Sequence, residues 1–166
     1  LGWRFPQHLV SPVAGGTLLP RIVRGFREFR EVGLVEGPLP KVYAAQAAGC
    51  APVVRALEEG LEFPEPVKPK TIAKSIAIGN PADGFQVLSA VRASGGCGAM
   101  VTDDQIVSAI QLLAETEGIF TEPAGGTTLA AAIQYFHPIF LLGICTVFIS
   151  GALRLTDLKI GFGELY

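Results

Sequence analysis

The chain has few of the residues that build metal centres or disulfide frameworks. Its 166 residues include two histidines and three cysteines. Cys50, Cys97 and Cys145 are an odd number with no C-x-x-C spacing, so neither a zinc site nor a set of paired bridges has a basis. No metal is expected, and a reducing, cytoplasmic setting fits. Charge is also scarce: 17% of residues are Asp, Glu, Lys or Arg, where about 25% is usual. Thirteen basic against fifteen acidic side chains leave a net charge of −2, without the basic excess a nucleic-acid binder carries. Between Glu122 and Arg154 charge is missing altogether. The densest apolar part there, residues 139–153, is shorter than the roughly 20 residues a membrane helix needs. Gly143 interrupts it and Pro138 stands just upstream. A buried strand with flanking core is expected in that stretch, and no membrane span.

What the chain does have is apolar residues and turns. Hydrophobic side chains make up 49%, with 20 Gly and 12 Pro, which excludes intrinsic disorder. The chain opens at Leu1 and enters a strand-like run almost at once, with no leader of basic, apolar and small residues. This reads as one portion of a longer chain without a secretory signal. Strand-like and helix-like segments then alternate. Residues 8–13 read as a buried strand ending at Ala14-Gly15-Gly16. Thr17 is placed as a helix N-cap, with Pro20 tolerated in the first turn. Ile22, Phe26 and Phe29 form the expected apolar stripe, with Arg21, Arg24, Arg27 and Glu28 facing water, and Gly33 stops the helix.

Residues 41–46 read as a second strand, 52–59 as a helix closed by Gly60, and 61–70 as a loop around Pro64, Pro66 and Pro69. Residues 71–78 are ambiguous between helix and strand until Asn80-Pro81 breaks them. A helix over 84–94, a strand over 98–101 and a helix opened by the capping box Thr102-Asp103-Asp104-Gln105 follow. The helix opened by this box is expected to bury Ile106, Ile110 and Leu113 and to end at Gly118. A short strand over 119–121, a helix over 127–136 and a final strand over 145–149 complete the series. Such alternation predicts an α/β fold: a largely parallel twisted sheet with helices on both faces.

Ligands of open α/β sheets bind at the carboxyl ends of strands, and three loops qualify. Ala14, Gly15, Gly16, Thr17 and Leu18 lie between a strand and a helix start. Backbone N–H groups and the helix N-terminus there suit an anionic phosphate, though a glycine pair can also be only a turn. Glu122, before Pro123-Ala124-Gly125-Gly126, is either a carboxylate favouring a helix N-terminus or part of a site wall. Ser150, after the last strand, can bond a ring nitrogen or cap local backbone. The remaining candidates have plainer readings: Asp103 and Asp104 serve a cap, Cys97 a loop, His137 a turn, and Lys74 is solvated.

Together these segments resemble threonine synthase, a pyridoxal-phosphate enzyme of the tryptophan-synthase-β-like fold (fold type II). The residues that carry the likeness are Pro12-Val13-Ala14-Gly15-Gly16-Thr17-Leu18 and Gln46-Ala47-Ala48-Gly49-Cys50-Ala51-Pro52-Val53-Val54-Arg55-Ala56. Thr71-Ile72-Ala73 with Ile78-Gly79-Asn80-Pro81, and Glu117-Gly118-Ile119-Phe120-Thr121-Glu122-Pro123-Ala124-Gly125-Gly126, add to it. The resemblance spans about residues 3–133 and implies the C-terminal portion, residues 1–166, of a pyridoxal 5′-phosphate enzyme domain, an incomplete fold type II sheet. Residues 134–166 depart from it and form a divergent tail. The implied reaction converts O-phosphohomoserine and water to L-threonine and phosphate. A threonine or serine dehydratase-like lyase, or a non-catalytic fragment of this fold, is the alternative.

In that family a lysine in an S-x-K-D/N-type motif holds the cofactor as a Schiff base, and no such motif occurs here. No catalytic residue is therefore assigned, and the chain alone is expected to be inactive. The resemblance implies cofactor binding by Ala14, Gly15, Gly16, Thr17 and Leu18, a hydroxyl near the pyridine nitrogen at Ser150, and Glu122 on the wall. It further implies a small-molecule substrate and a possible homodimer of the full-length enzyme.

Overall fold

The computed structural model describes residues 4–136 together with Thr146 and Val147. Its strands are β1 (His8–Pro12), β2 (Lys41–Ala47), β3 (Gly98–Val101) and β4 (Thr146–Val147). Between them come α1 (Leu18–Glu31), α2 (Pro52–Glu58), α3 (Gly84–Ser94), α4 (Asp103–Glu117) and α5 (Pro123–Phe136), with one 3₁₀ turn at Lys74–Ile76. The strands form one sheet in the order β3-β2-β1-β4, and every pairing is parallel. The α/β expectation holds.

Strands β1, β2 and β3 are largely buried, as parallel strands covered by helices must be. Along β1 and β2 consecutive side chains alternate between two cores. Leu9, Val13, Val42 and Ala44 pack with Leu19 and Val23 of α1, Val53 and Ala56 of α2, and Val87, Leu88 and Val91 of α3. Val10, Tyr43, Ala45 and Ala47 face the other way, toward Ile106, Ala109 and Leu113 of α4 and Leu129 and Ala131 of α5. Period-two alternation over an apolar run thus divides five helices between two faces.

Several local expectations need correction. Thr17 precedes α1 but its side chain caps nothing in that helix. The buried stripe of α1 is Leu19 and Val23; Ile22 and Phe26 flank it, and Phe29 is exposed. Residues 119–121 form no strand, and α5 begins at Pro123 rather than at 127. Proline suits a first helical position because its missing N–H would have no partner there. The capping box of α4 is present in full: Gln105 N–H donates to Thr102 Oγ1, and Thr102 N–H to Gln105 Oε1 at 2.8 Å. β4 falls within the expected final strand, whose remaining residues lie outside those described. Among the described residues no helix is long and apolar enough to cross a membrane.

Candidate functional site

Strand order fixes where a ligand can sit. The chain steps from β1 to β2 to β3 in one direction, then returns to place β4 on the other side of β1. The strand order therefore reverses between β1 and β4, the place in an open parallel sheet where a crevice forms at the carboxyl ends of the strands. A cavity of about 290 Å³ lies there. It is lined by residues 12–19, by Ser75 and Ile76, and by Glu122. Two of the three candidate loops thus share one cleft. The third, at Ser150, lies outside the described residues.

The bend at residues 14–18 is fixed by contacts from distant parts of the chain. Gly16 has φ of +94°, and a Cβ there would stand 2.8 Å from the Asp83 carbonyl carbon. Only glycine meets both conditions. The Gly15 carbonyl accepts the Asp83 N–H at 2.9 Å, and Thr17 Oγ1 donates to Asp83 Oδ2 at 2.5 Å. Just before the bend, the buried Gln46 side chain donates from Nε2 to the Val13 carbonyl at 3.1 Å. Its Oε1 accepts the N–H groups of Val53 and Val54 at 3.0 and 3.1 Å, supplying the cap that Ala51 cannot give α2. One side chain thereby ties the end of β1 to the start of α2.

These anchors use none of the N–H donors of the bend, whose residues line the cleft. Among the described residues, no acceptor is taken by the main-chain N–H groups of Gly15, Gly16 or Thr17. The first turn of α1, which also lines the cavity through Leu18 and Leu19, has no acidic residue and no side-chain cap. Successive open N–H groups and a helix N-terminus make a concavity of positive potential. Such a site suits a phosphate.

The opposite wall was not identified from sequence. Asp103, at the first position of α4, accepts Thr71 Oγ1 at 2.5 Å and the Ile72 N–H at 3.2 Å. Thr71 Oγ1 in turn accepts the Ala73 N–H at 3.2 Å. Asp103 therefore does more than favour a helix start: it moors the segment that carries Ser75 and Ile76 to the cleft. The Thr71-Ile72-Ala73 text is the only trace of this wall in the sequence, and its ambiguous periodicity concealed a loop ending in a 3₁₀ turn. Lys74 is exposed and does not line the cavity.

Glu122 is exposed on the cleft side, and its carbonyl accepts the Gly126 N–H at the start of α5. The following glycines play no part in the cleft. Gly126 lies inside α5, where a Cβ would meet Ile110 Cγ1 at 2.7 Å and the Ile106 carbonyl at 2.8 Å. It is a packing residue that lets α4 and α5 touch. Far from the cleft, at the amino ends of the strands, His8 Nδ1 and the Tyr43 hydroxyl are 3.1 Å apart. Burial, then Lys41, holds the His8 imidazole below its ordinary range. Tyr135 donates to the Gly98 carbonyl, and burial, then the Cys97 thiol, raises its phenol. Cys97 is exposed, while Cys50 is buried and its thiol is pushed up by burial.

With this geometry in view, the likeness to known proteins has a physical location. The chain is 40% identical over 131 residues to threonine synthase of Methanocaldococcus jannaschii, covering 78% of this chain and 32% of that protein. It is 34% identical over 130 residues to threonine synthase of Mycobacterium bovis, covering 78% and 34%. The chain thus spans about a third of the length of these relatives. Among solved structures, maize serine racemase aligns with a TM-score of 0.64 at 20% identity over 83% of this chain and 40% of that one. Serine racemase of Dictyostelium discoideum aligns with a TM-score of 0.60 at 28% identity, over 81% and 39%. Both share the fold. The family model described as "Pyridoxal-phosphate dependent enzyme" matches residues 1–139, well over half of the chain. The chain belongs to the pyridoxal-phosphate-dependent enzyme family, whose cofactor carries the anionic group that a glycine bend at a strand's carboxyl end can receive.

Proposed function

We infer that this chain forms the phosphate-binding portion of a longer pyridoxal-phosphate enzyme that converts O-phosphohomoserine and water to L-threonine and phosphate. The observation that carries the reading is that residues 14–18 and Glu122, far apart in sequence, line one cleft at the switch point of the sheet. The 34–40% identity to proteins named threonine synthase supports this substrate over those of the racemase structures, whose likeness is lower. The fit to the cofactor rests on the bend itself. Gly16 sits in a cradle no side chain can enter, and the N–H groups around it have no protein acceptor among the described residues.

In this reading Ala14, Gly15, Gly16, Thr17 and Leu18 hold the cofactor phosphate through main-chain donors, aided by the uncapped start of α1. The bound cofactor supplies an electron sink for carbanions, while the protein contributes orientation and electrostatics. Val13, Leu18 and Ile76 supply apolar surface to the wall of the cleft. Glu122 places a carboxylate on the wall beside them. Ser150 keeps its reading as the hydroxyl at the ring nitrogen on sequence grounds, and it lies outside the described residues. The cofactor-linked lysine is assigned to another part of the polypeptide because this sequence has no S-x-K-D/N-type motif.

The test is an assay of the complete polypeptide with O-phosphohomoserine and, separately, with L-serine and L-threonine. Equal release of phosphate and L-threonine from the first is expected. Ammonia and a 2-oxo acid from serine or threonine, with no phosphate release from the first, would assign a dehydratase instead. The chain alone, mixed with pyridoxal phosphate and borohydride, is expected to retain no covalently reduced cofactor.

A further inference from the structure

Helix α1 carries four arginines spaced three apart, Arg21, Arg24, Arg27 and Arg30, in a chain whose net charge is −2. The first three line a groove of about 350 Å³ between α1 and α3. Buried Val23 and Ala90 also line it, as do the exposed Gln86 and Ser89 of α3. The groove shares no lining residue with the cleft at the carboxyl end of β1.

Like charges that neighbour one another on a helix surface disfavour the helix, so a row of arginines calls for an anion. The protein supplies little. Arg24 Nε donates to Glu28 Oε1 at 2.7 Å, but both side chains are more than half exposed, and such surface pairs are weak enough to exchange partners. Arg21 and Arg27 take part in no ion pair or side-chain hydrogen bond among the described residues, although Glu31 follows Arg27 by one turn. The Ser89 hydroxyl is also without a partner there. Asp83 bears on the groove from α3: it accepts from Gln86 Nε2 at 3.1 Å and from Thr17 Oγ1 at 2.5 Å. Its charge opposes an anion at the end of the groove nearest the start of α3, while Arg24 and Arg27 lie further along α1.

The planar fork of arginine suits the paired oxygens of phosphate and carboxylate groups. From Arg21 to Arg27 the helix advances about 9 Å, a length that suits two or three linked anionic groups better than one. Two packed helices present no open sheet edge, so an extended peptide has no backbone to pair with. We propose that the groove between α1 and α3 is an anion site for a small polyanion with two or more phosphate or carboxylate groups, held by Arg21, Arg24 and Arg27. The site does not depend on the phosphate reading of residues 14–18.

The experiment is calorimetric titration of the complete polypeptide, loaded with pyridoxal phosphate so that the cofactor site is filled. The probes are tripolyphosphate, citrate, inorganic phosphate and an oligoglutamate peptide. Tripolyphosphate or citrate is expected to bind, the tighter one showing whether the chemistry is phosphate or carboxylate, and inorganic phosphate about tenfold more weakly. Arg27→Gln should weaken the polyanion about fivefold, and Arg21→Gln/Arg27→Gln more than about tenfold, through loss of charge-assisted bonds. Arg30→Gln removes the same charge from the same helix outside the groove lining and should stay within about twofold. Glu28→Gln, which releases Arg24, should strengthen binding about twofold. Thermal melts of each variant check that the fold is retained.

Equal losses in Arg27→Gln and Arg30→Gln would overturn the proposal, because diffuse surface charge would then suffice. Absence of any binding that responds to Arg21 and Arg27 would overturn it too, including the case in which another part of the polypeptide fills the groove. Tighter binding of oligoglutamate than of either small polyanion would replace it with a docking surface for an acidic segment.

Discussion

The chain contains two glycine pairs at the entrance to helices, Gly15-Gly16 and Gly125-Gly126, and they do different work. The first lies outside its helix, at the carboxyl end of β1, where Gly16 takes a positive φ against the Asp83 backbone. The second lies within α5, where Gly126 is pressed against Ile106 and Ile110 of α4. One pair lines the cleft and the other allows two helices to meet. The same two letters acquire opposite roles because glycine has two separable uses, its wide backbone freedom and its lack of volume. Which use applies is set by the neighbour across the fold.

Substitutions can separate the two roles. Gly16→Ala combines a left-handed φ with a backbone overlap and is expected to lower stability by about 2–4 kcal/mol. It should also abolish the preference for pyridoxal 5′-phosphate over pyridoxal, read by titration of whatever folded protein remains. Gly126→Ala should destabilise by about 1–3 kcal/mol through overpacking between α4 and α5, seen as a lower denaturant midpoint. Phosphate preference should survive in that variant; its loss would mean that the second pair also serves the cleft. Gly15→Ala is the internal control, because a Cβ there has no atom within 4 Å and the φ is not left-handed. Its stability change should stay within about 1 kcal/mol, and a larger one would show that the bend depends on both glycines.

The smallest expected effect comes from the amino end of the sheet and asks whether that end is independent of the cleft. His8 titrates below its ordinary value of 6.5 because burial and Lys41 disfavour the imidazolium. Between the folded value and 6.5 the unfolded chain therefore binds more protons than the folded one. Stability from this group is full above 6.5 and declines as pH falls through 6.5 toward the lower folded value. Melts taken from about pH 7.5 to about pH 5.5 should show less loss in His8→Gln than in the parent, with cofactor affinity unaltered. An identical slope in both would remove His8 from the pH response.

Much of the fold could be read from the order of residues because the signals were local. Helix α3, strand β3 and the capping box of α4 depend on spacing within a few residues and were placed correctly. So was the glycine bend after β1, since strand, glycines and helix start are contiguous. The errors arose where distant partners override local preference. Thr17 has the chemistry of an N-cap, but a carboxylate 66 positions away takes its hydroxyl. Gly125-Gly126 reads as the approach to a helix starting at 127, yet it lies inside α5, with Gly126 packed on α4. Ser75 and Ile76 carry no motif and reach the cleft only because Asp103 holds Thr71 and Ile72.

The sequence alone determined the alternation of strand and helix, the burial of the strands between helices and the position of the glycine bend after β1, because periodicity and glycine placement act over short range. Tertiary structure alone decided that the bend and Glu122 belong to one cleft, that Ser75 and Ile76 line it, and that the start of α1 stays uncapped. Those outcomes depend on which strand lies beside β1 and on which carboxylate reaches which hydroxyl, and these relations form only when the chain has folded.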